Sequence, residues 1–379
     1  MTVSGGRIAR GKQISTRIVF FVVGVAMAAW APLVPFAQTR SGIGNGGLGL
    51  LLLGLGIGSI ATMSMSGALV ARFGCRRVVL VSAAPLCLCL PLLATIADPL
   101  SLAGVLLLFG AALGTLDVTM NIQAIVVERA SGRAMMSGFH GLFSVGGIAG
   151  ATGVTTILGL GGSPLIATLG VVAVLVVAVA ASAPHLLAYG SERAGPVFAV
   201  PRGIVLFIGV LCCIAFLAEG AVLDWSAVLL SSAQGMPAQY AGLGYAVFSL
   251  TMTVGRLTGD RIVARFGGTR VVTAGGLCAA LGFALATLAP SWPPALLGFA
   301  LVGGGCANIV PVLYSQIGRQ TEVPEHHAVA AVTTLGYAGI LAGPAMIGLL
   351  AHAAGLSAAF LILTLLQLGV ALGGSRLRG

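Results

Sequence analysis

The chain has 379 residues, 58% of them apolar and only 7% charged, with a formal net charge of +10 and a mean hydropathy of +1.08. A water-exposed surface needs roughly a quarter or more of its residues charged, so a soluble globular domain is excluded and lipid is the solvent that the composition fits. The basic excess then reports membrane topology rather than binding to nucleic acid.

Apolar runs of about 20 residues, each long enough to cross a hydrocarbon core of roughly 30 Å as a helix, recur from end to end. They predict twelve spans: 18–38, 46–70, 78–96, 100–127, 138–160 and 164–183, then 203–230, 239–262, 271–289, 294–318, 328–351 and 357–374. The basic residues before the first run imitate a signal peptide, but further spans follow and the run reads as an uncleaved first helix. With both termini in the cytoplasm, every Lys and Arg except Arg40 falls on the cytoplasmic side, including Arg7, Arg193, Arg256 and Arg378. That is the asymmetry that positive-inside retention produces.

An ionised side chain at the bilayer centre costs at least about 2.5–3.5 kcal/mol, so acids within spans are functional candidates. Trp30, which with Pro32 and Pro35 ends the first helix, is an interfacial belt residue or a stacking platform. In span four, Gly110, Gly114, Asp117 and Asn121 share one helical stripe, small at one end and polar at the other. Asp117 lies about 18 Å from the Arg129 end, near the midplane. It is either a proton carrier or substrate ligand, or a buried acid satisfied by a neighbouring helix. Glu128, Arg129 and His140 cluster where spans four and five meet the cytoplasm, and His140 titrates near physiological pH. In span seven Glu219 and Asp224 are about 140° apart around the axis, so they cannot share one face. Glu219 is the deeper, and Asp224 precedes Trp225 near the external interface. Span ten carries a stripe of Gly304, Asn308, Pro311 and Ser315, with Asn308 as a substrate ligand or as interhelical glue. His326 and His327 fall in a polar loop with Glu322 and Glu325, where a metal site is not expected. The seven cysteines lack metal-ligand spacing, and no cofactor is expected. GLGIGS at 54–59 lacks the preceding strand of a dinucleotide fingerprint and reads as helix packing, as do Gly339 and Gly343 beside Pro344.

Two stretches are nearly the same: LVARFGCRRVV at 69–79 and IVARFGGTRVV at 262–272 share eight of eleven residues at an offset of 193. Phe109, Gly114 and Arg129 likewise match Phe299, Gly304 and Arg319. Six spans are therefore duplicated. Because six is even, the copies enter the membrane in the same orientation, as parallel repeats about an axis along the membrane normal. The expected fold is an all-α polytopic membrane protein of twelve transmembrane helices in two six-helix bundles related by that pseudo-two-fold axis. Residues 1–183 form the first bundle, 184–202 a cytoplasmic linker and 203–379 the second bundle.

With GALVARFGCRR at 67–77, this organisation resembles the major facilitator superfamily and its Gly-x-x-x-Asp-Arg-x-Gly-Arg-Arg loop. WAPLVP at 30–35, LDVTMNIQ at 116–123, SGFHGLFSVGG at 137–147 and EGAVLDWS at 219–226 resemble its MosC/YbjJ-like branch. The pattern departs at Ala71, where the loop's Asp is missing; GRLTGDR at 255–261 supplies Asp260 in the second half. Ala151 follows Gly150 where drug antiporters of the superfamily place Pro.

The resemblance implies a secondary transporter of the bacterial cytoplasmic (inner) membrane, monomeric, with no enzymatic activity, moving a small-molecule substrate by alternating access. Asp117, Asn121, Glu219, Asn308, Trp30 and Asp224 are the candidates for a substrate and proton cavity. The cytoplasmic gate falls to Arg72, Arg76, Arg77, Glu128, Arg129, His140, Asp260, Arg261, Arg265 and Arg270. Proton-coupled movement of a small polar solute leads. Proton-antiport export of amphipathic compounds is the alternative, and a non-transporting receptor a third.

Overall fold

The computed structural model describes residues 10–43, 45–189, 201–236, 243–320 and 323–377. Arg7, Arg193, Glu322, Arg378 and most of the 184–202 linker lie outside them. In chain order the helices are α1 (Arg10–Ala29), α2 (Val34–Ser41), α3 (Asn45–Thr95), α4 (Pro99–Ser131), α5 (Met136–Gly159), α6 (Pro164–Ser182) and α7 (Gly203–Ser232). They continue with α8 (Leu243–Phe266), α9 (Gly268–Leu288), α10 (Trp292–Cys306), α11 (Ile309–Ile317), α12 (Glu325–Ala354) and α13 (Leu356–Gly374).

Among the described residues ten stretches are long and apolar enough to cross a bilayer. Two adjustments bring the count to twelve. α3 has 51 residues and would be about 77 Å long if straight, but it turns at Gly74. The helix α8 is long enough to cross, but it carries Arg256, Asp260, Arg261 and Arg265 and so is not apolar enough to be recognised on composition. Spans 46–70 and 78–96 are thus the two limbs of α3. Span ten is broken: α10 ends at Cys306, and Asn308 (φ −110°, ψ 1°) starts α11.

The turn in α3 shows how the repeated stretch folds. Gly74 has φ 79° and ψ 157°, and its twin Gly267 has φ 81° and ψ 150°. That region of backbone space is open essentially to glycine alone. Further left-handed glycines pair off at the same spacing: Gly42 with Gly235 (φ 65° and 70°), 193 residues apart, and Gly161 with Gly355 (φ 84° and 88°), 194 apart. A cation stacked on the following ring recurs too: the Arg72 guanidinium lies 5.2 Å from the Phe73 centroid, and that of Arg265 lies 5.4 Å from Phe266. Duplication is therefore written in the turns as well as in the residues.

The chain divides into two compact units. One comprises residues 1–132, 142–200 and 321–331, the other residues 133–141, 201–320 and 332–379. They differ from a cut at the linker because two short segments, the start of α5 and the start of α12, each pack with helices of the opposite sequence half.

In the first unit α3 and α4 pack almost backbone to backbone. A Cβ on Gly58 would stand 2.1 Å from the Leu107 carbonyl oxygen, and the Ser59 hydroxyl donates to the Gly110 carbonyl at 2.9 Å. Between apolar helices in lipid, such close contacts and hydrogen bonds take the place of a hydrophobic drive. Asp98 caps α4 by accepting from the Ser101 N–H at 2.8 Å, and that bond holds its carboxyl below the usual range. Arg40, at the end of α2, donates to the Leu93 and Ile96 carbonyls at 2.8 and 2.9 Å, closing the end of α3.

The stretch after α6 is docked rather than loose. Leu186 and Leu187 are buried. The Leu187 N–H donates to Oε1 of buried Gln123 at 3.3 Å, and its carbonyl accepts from the Arg76 N–H at 2.8 Å. The second limb of α3 is thereby capped by linker backbone. In the second unit, Phe360 meets Phe283 and Phe299 edge-on, with centroids 6.0 and 6.3 Å apart, at the centre of its core.

Candidate functional site

Asp117 sits on α4 about 21 Å from Ser131 and about 27 Å from Pro99. It is buried, with 8% of its surface exposed. Its backbone carbonyl accepts from the Asn121 amide at 2.9 Å, while its carboxylate has no hydrogen-bond or ion-pair partner among the described residues. The small end of the same stripe, Gly110 and Gly114, packs on Leu55 and Ser59 of α3. Asn121 is buried with its Oδ1 unpartnered among the described residues, and so is Nε1 of Trp30. Trp30 is buried in the first unit rather than spread at a lipid interface.

In the second unit Glu219 of α7 has a partner that the sequence reading put elsewhere. Arg256 Nη2 donates to Glu219 Oε1 at 3.1 Å, with 7% and 18% of the two side chains exposed. The sequence reading placed Arg256 within span eight yet counted it only among the cytoplasmic-side cations; it stands ten residues before the end of α8, about 15 Å inside. It is the only Lys or Arg buried among the described residues. Its Nε also donates, at a long 3.4 Å, to the Ala307 carbonyl left open by the break between α10 and α11. Beside it Asn308 donates from Nδ2 to the Gly255 carbonyl at 3.1 Å, and its Oδ1 is buried without a partner. One helix break is thus fastened to α8 by two side chains.

Asp224 is exposed, on a different face of α7 from Glu219, as their spacing requires. Near the break His140 is buried, its ring 5.8 Å from that of Tyr314. The Tyr314 hydroxyl lies 2.6 Å from that of Thr333 on α12.

At the basic end, Arg72, Arg76, Arg77, Arg261, Arg265 and Arg270 are all exposed, and none of them forms an ion pair among the described residues. The interhelical contacts there come from other groups. Arg129 of α4 pairs with Glu325 of α12. Asp260 of α8 accepts from the Gly138 N–H in the first turn of α5 at 3.0 Å, where a carboxylate is favoured by the helix dipole. Glu128 lies at the end of the same helix as Arg129, half-buried.

A second correction concerns His326 and His327. They lie in the first turn of α12, fully buried, with ring centroids 4.2 Å apart, not in a solvated loop. The helix starts earlier than the apolar run because the Pro324 carbonyl accepts from the N–H groups of both His327 and Ala328.

Glu325, Gln123 and Tyr314 escaped sequence reasoning because each is defined by a distant partner. Arg256 carried a usable signal. It falls inside span eight at 239–262, and a cation at that depth needs a partner.

Comparison with known proteins follows the same lines. Residues 225–375 match the family model described as Major Facilitator Superfamily. The chain is 54% identical over 361 residues to an uncharacterized MFS-type transporter of Yersinia pestis, covering 95% of this chain and 94% of the relative. It is 31% identical to the membrane protein MosC of Rhizobium meliloti, covering 93% and 88%. Among solved structures it is similar to the fucose:proton symporter FucP of E. coli, with a TM-score of 0.83 at 16% identity over 98% of this chain and 100% of that one.

Proposed function

The chain belongs to the major facilitator superfamily, in its MosC-like branch, and is thus a multi-pass secondary transporter; from that premise we propose that it moves a small polar solute by proton-coupled alternating access. The observation that carries this reading is Asp117: a carboxylate buried at mid-depth on α4 without a partner among the described residues. An isolated buried carboxylate is relieved by taking up a proton, and the charge state of such a group decides how costly it is to carry through a closed state. The unpartnered polar atoms of Trp30 and Asn121 in the same unit are hydrogen-bonding capacity that a hydroxylated solute would use.

The proposed setting is a bacterial inner membrane, with both termini and the basic loops in the cytoplasm and the protein acting as a monomer. Arg129–Glu325 and Asp260–Gly138 are the contacts at the basic end that one state makes and the other breaks. The test is a solute screen on purified protein in proteoliposomes under a pH gradient of either sign. Uptake driven by one sign of the gradient supports the proposal. Uptake indifferent to both signs refutes it, and uptake unchanged with its pH dependence in Asp117→Asn refutes the role of Asp117.

A further inference from the structure

We propose that Arg256 is the binding group for the carboxylate of an anionic solute, and that Glu219 is the internal counter-ion which that carboxylate replaces when Glu219 is protonated. This rests on the proposal of proton-coupled transport and names its substrate class.

Three features of the second unit lead here. Arg256 is buried in α8, and the partner that neutralises it is held through one oxygen, Oε1, at 3.1 Å rather than through a two-pronged clasp. Glu219 is the more exposed member of the pair, at 18% against 7%, so the acid is reached more readily than the base. The pair also adjoins a broken helix, where Arg256 makes its long 3.4 Å bond to the Ala307 carbonyl and where Asn308 Oδ1 is left unpartnered. Discontinuous helices near the membrane midplane are where transporters expose backbone to their solutes.

Charge balance selects the solute. With Glu219 ionised the pair is neutral. With Glu219 protonated it carries one positive charge, costly at this burial until a counter-charge arrives. A monovalent carboxylate restores neutrality and offers the flat fork of acceptors that a guanidinium binds in a bidentate way. A neutral solute leaves the excess charge, and an ammonium group doubles it. Proton and anion are therefore taken up together at this site.

The other ionisable groups near the carboxylate are Tyr245 of α8, Cys306 of α10 and Cys212 of α7, whose ordinary protonation at neutral pH is uncharged. His140 of α5 acts on Arg256 and is kept in every variant below.

The test is thermal unfolding of the full-length purified protein with three six-carbon polyhydroxy probes that differ in charge: gluconate, sorbitol and glucosamine. For the wild type, gluconate should raise the melting temperature at pH 5.5, with an apparent affinity about tenfold or more above that at pH 7.5. Sorbitol and glucosamine should not. Glu219→Gln should bind gluconate at both pH values with less than about a twofold difference. The double variant Glu219→Gln, Arg256→Gln should bind none. Should Glu219→Gln alone give no folded protein, the wild type at two pH values and the double variant decide. Equal stabilisation by sorbitol or glucosamine, retention of the gluconate response in the double variant, or no response to gluconate at pH 5.5 overturns the assignment. Asp117→Asn keeps the two proposals apart: proton-driven uptake that survives it removes Asp117 as the proton carrier while leaving the Arg256 result to stand by itself.

Discussion

Replacing Arg256 by Gln removes the counter-charge of Glu219 and leaves a carboxylate that is only 18% exposed. Truncating one member of a buried ion pair costs about 3–5 kcal/mol. The residual access of Glu219 to water places the expectation at the lower end, about 3 kcal/mol, or roughly a hundredfold in the folding equilibrium. Glu219→Gln should cost a similar amount, because a buried guanidinium is then uncompensated. The double variant, with two neutral amides, should recover most of the loss, so that the singles and the double are far from additive. The assay is equilibrium unfolding in mixed micelles, titrating sodium dodecyl sulfate against dodecyl maltoside and following tryptophan fluorescence. Additive single and double effects, or an Arg256→Gln variant as stable as the wild type, would refute the claim that these two side chains form one buried unit.

Other consequences can be checked with the same preparation. Gly267→Ala should cost about 1–3 kcal/mol from its left-handed backbone alone, since nothing lies within 4 Å of the added carbon. Gly74→Ala should cost clearly more, because its Cβ would stand 2.1 Å from the Ala188 carbonyl oxygen; equal losses in the twin variants would contradict the docking of the linker. Gln123→Leu strands the buried Leu187 N–H, a loss of about 1–3 kcal/mol, and limited proteolysis should then cut the linker faster than in the wild type. Asp98 stabilises α4 as a carboxylate held below its ordinary 3.8, so its contribution is complete above about pH 4 and is lost as pH falls through the lowered value. The gap in melting temperature between wild type and Asp98→Ala should therefore close on acidification, and a gap that widens would reverse the sign of the argument.

The fold was legible because its determinants are one-dimensional. Runs of apolar residues give spans. The twin stretches announce a turn that only glycine can make, and Gly74 and Gly267 make it alike. The site was legible in part. Asp117 and Glu219 stand out because an acid in an apolar run is rare, and the 140° between Glu219 and Asp224 separates a buried acid from an exposed one. What could not be read were pairings across the fold. Arg256 counts as one more cytoplasmic-side cation until α7 is seen beside α8. The six exposed arginines look like a gate, yet the contacts fall to Arg129 with Glu325 and to a backbone N–H at Gly138. Asn308 was foreseen as a polar position, but not the helix break that it opens.

Proton coupling is tested most directly by the pH inside proteoliposomes when a transported solute is added outside, read with a trapped pH-sensitive dye. The wild type should acidify the lumen as solute enters, and Asp117→Asn should take up solute without moving protons or fail to take it up against a gradient. Solute entry without any change in lumenal pH would contradict proton coupling, and the same acidification by Asp117→Asn as by the wild type would contradict the assignment of the carrier to Asp117.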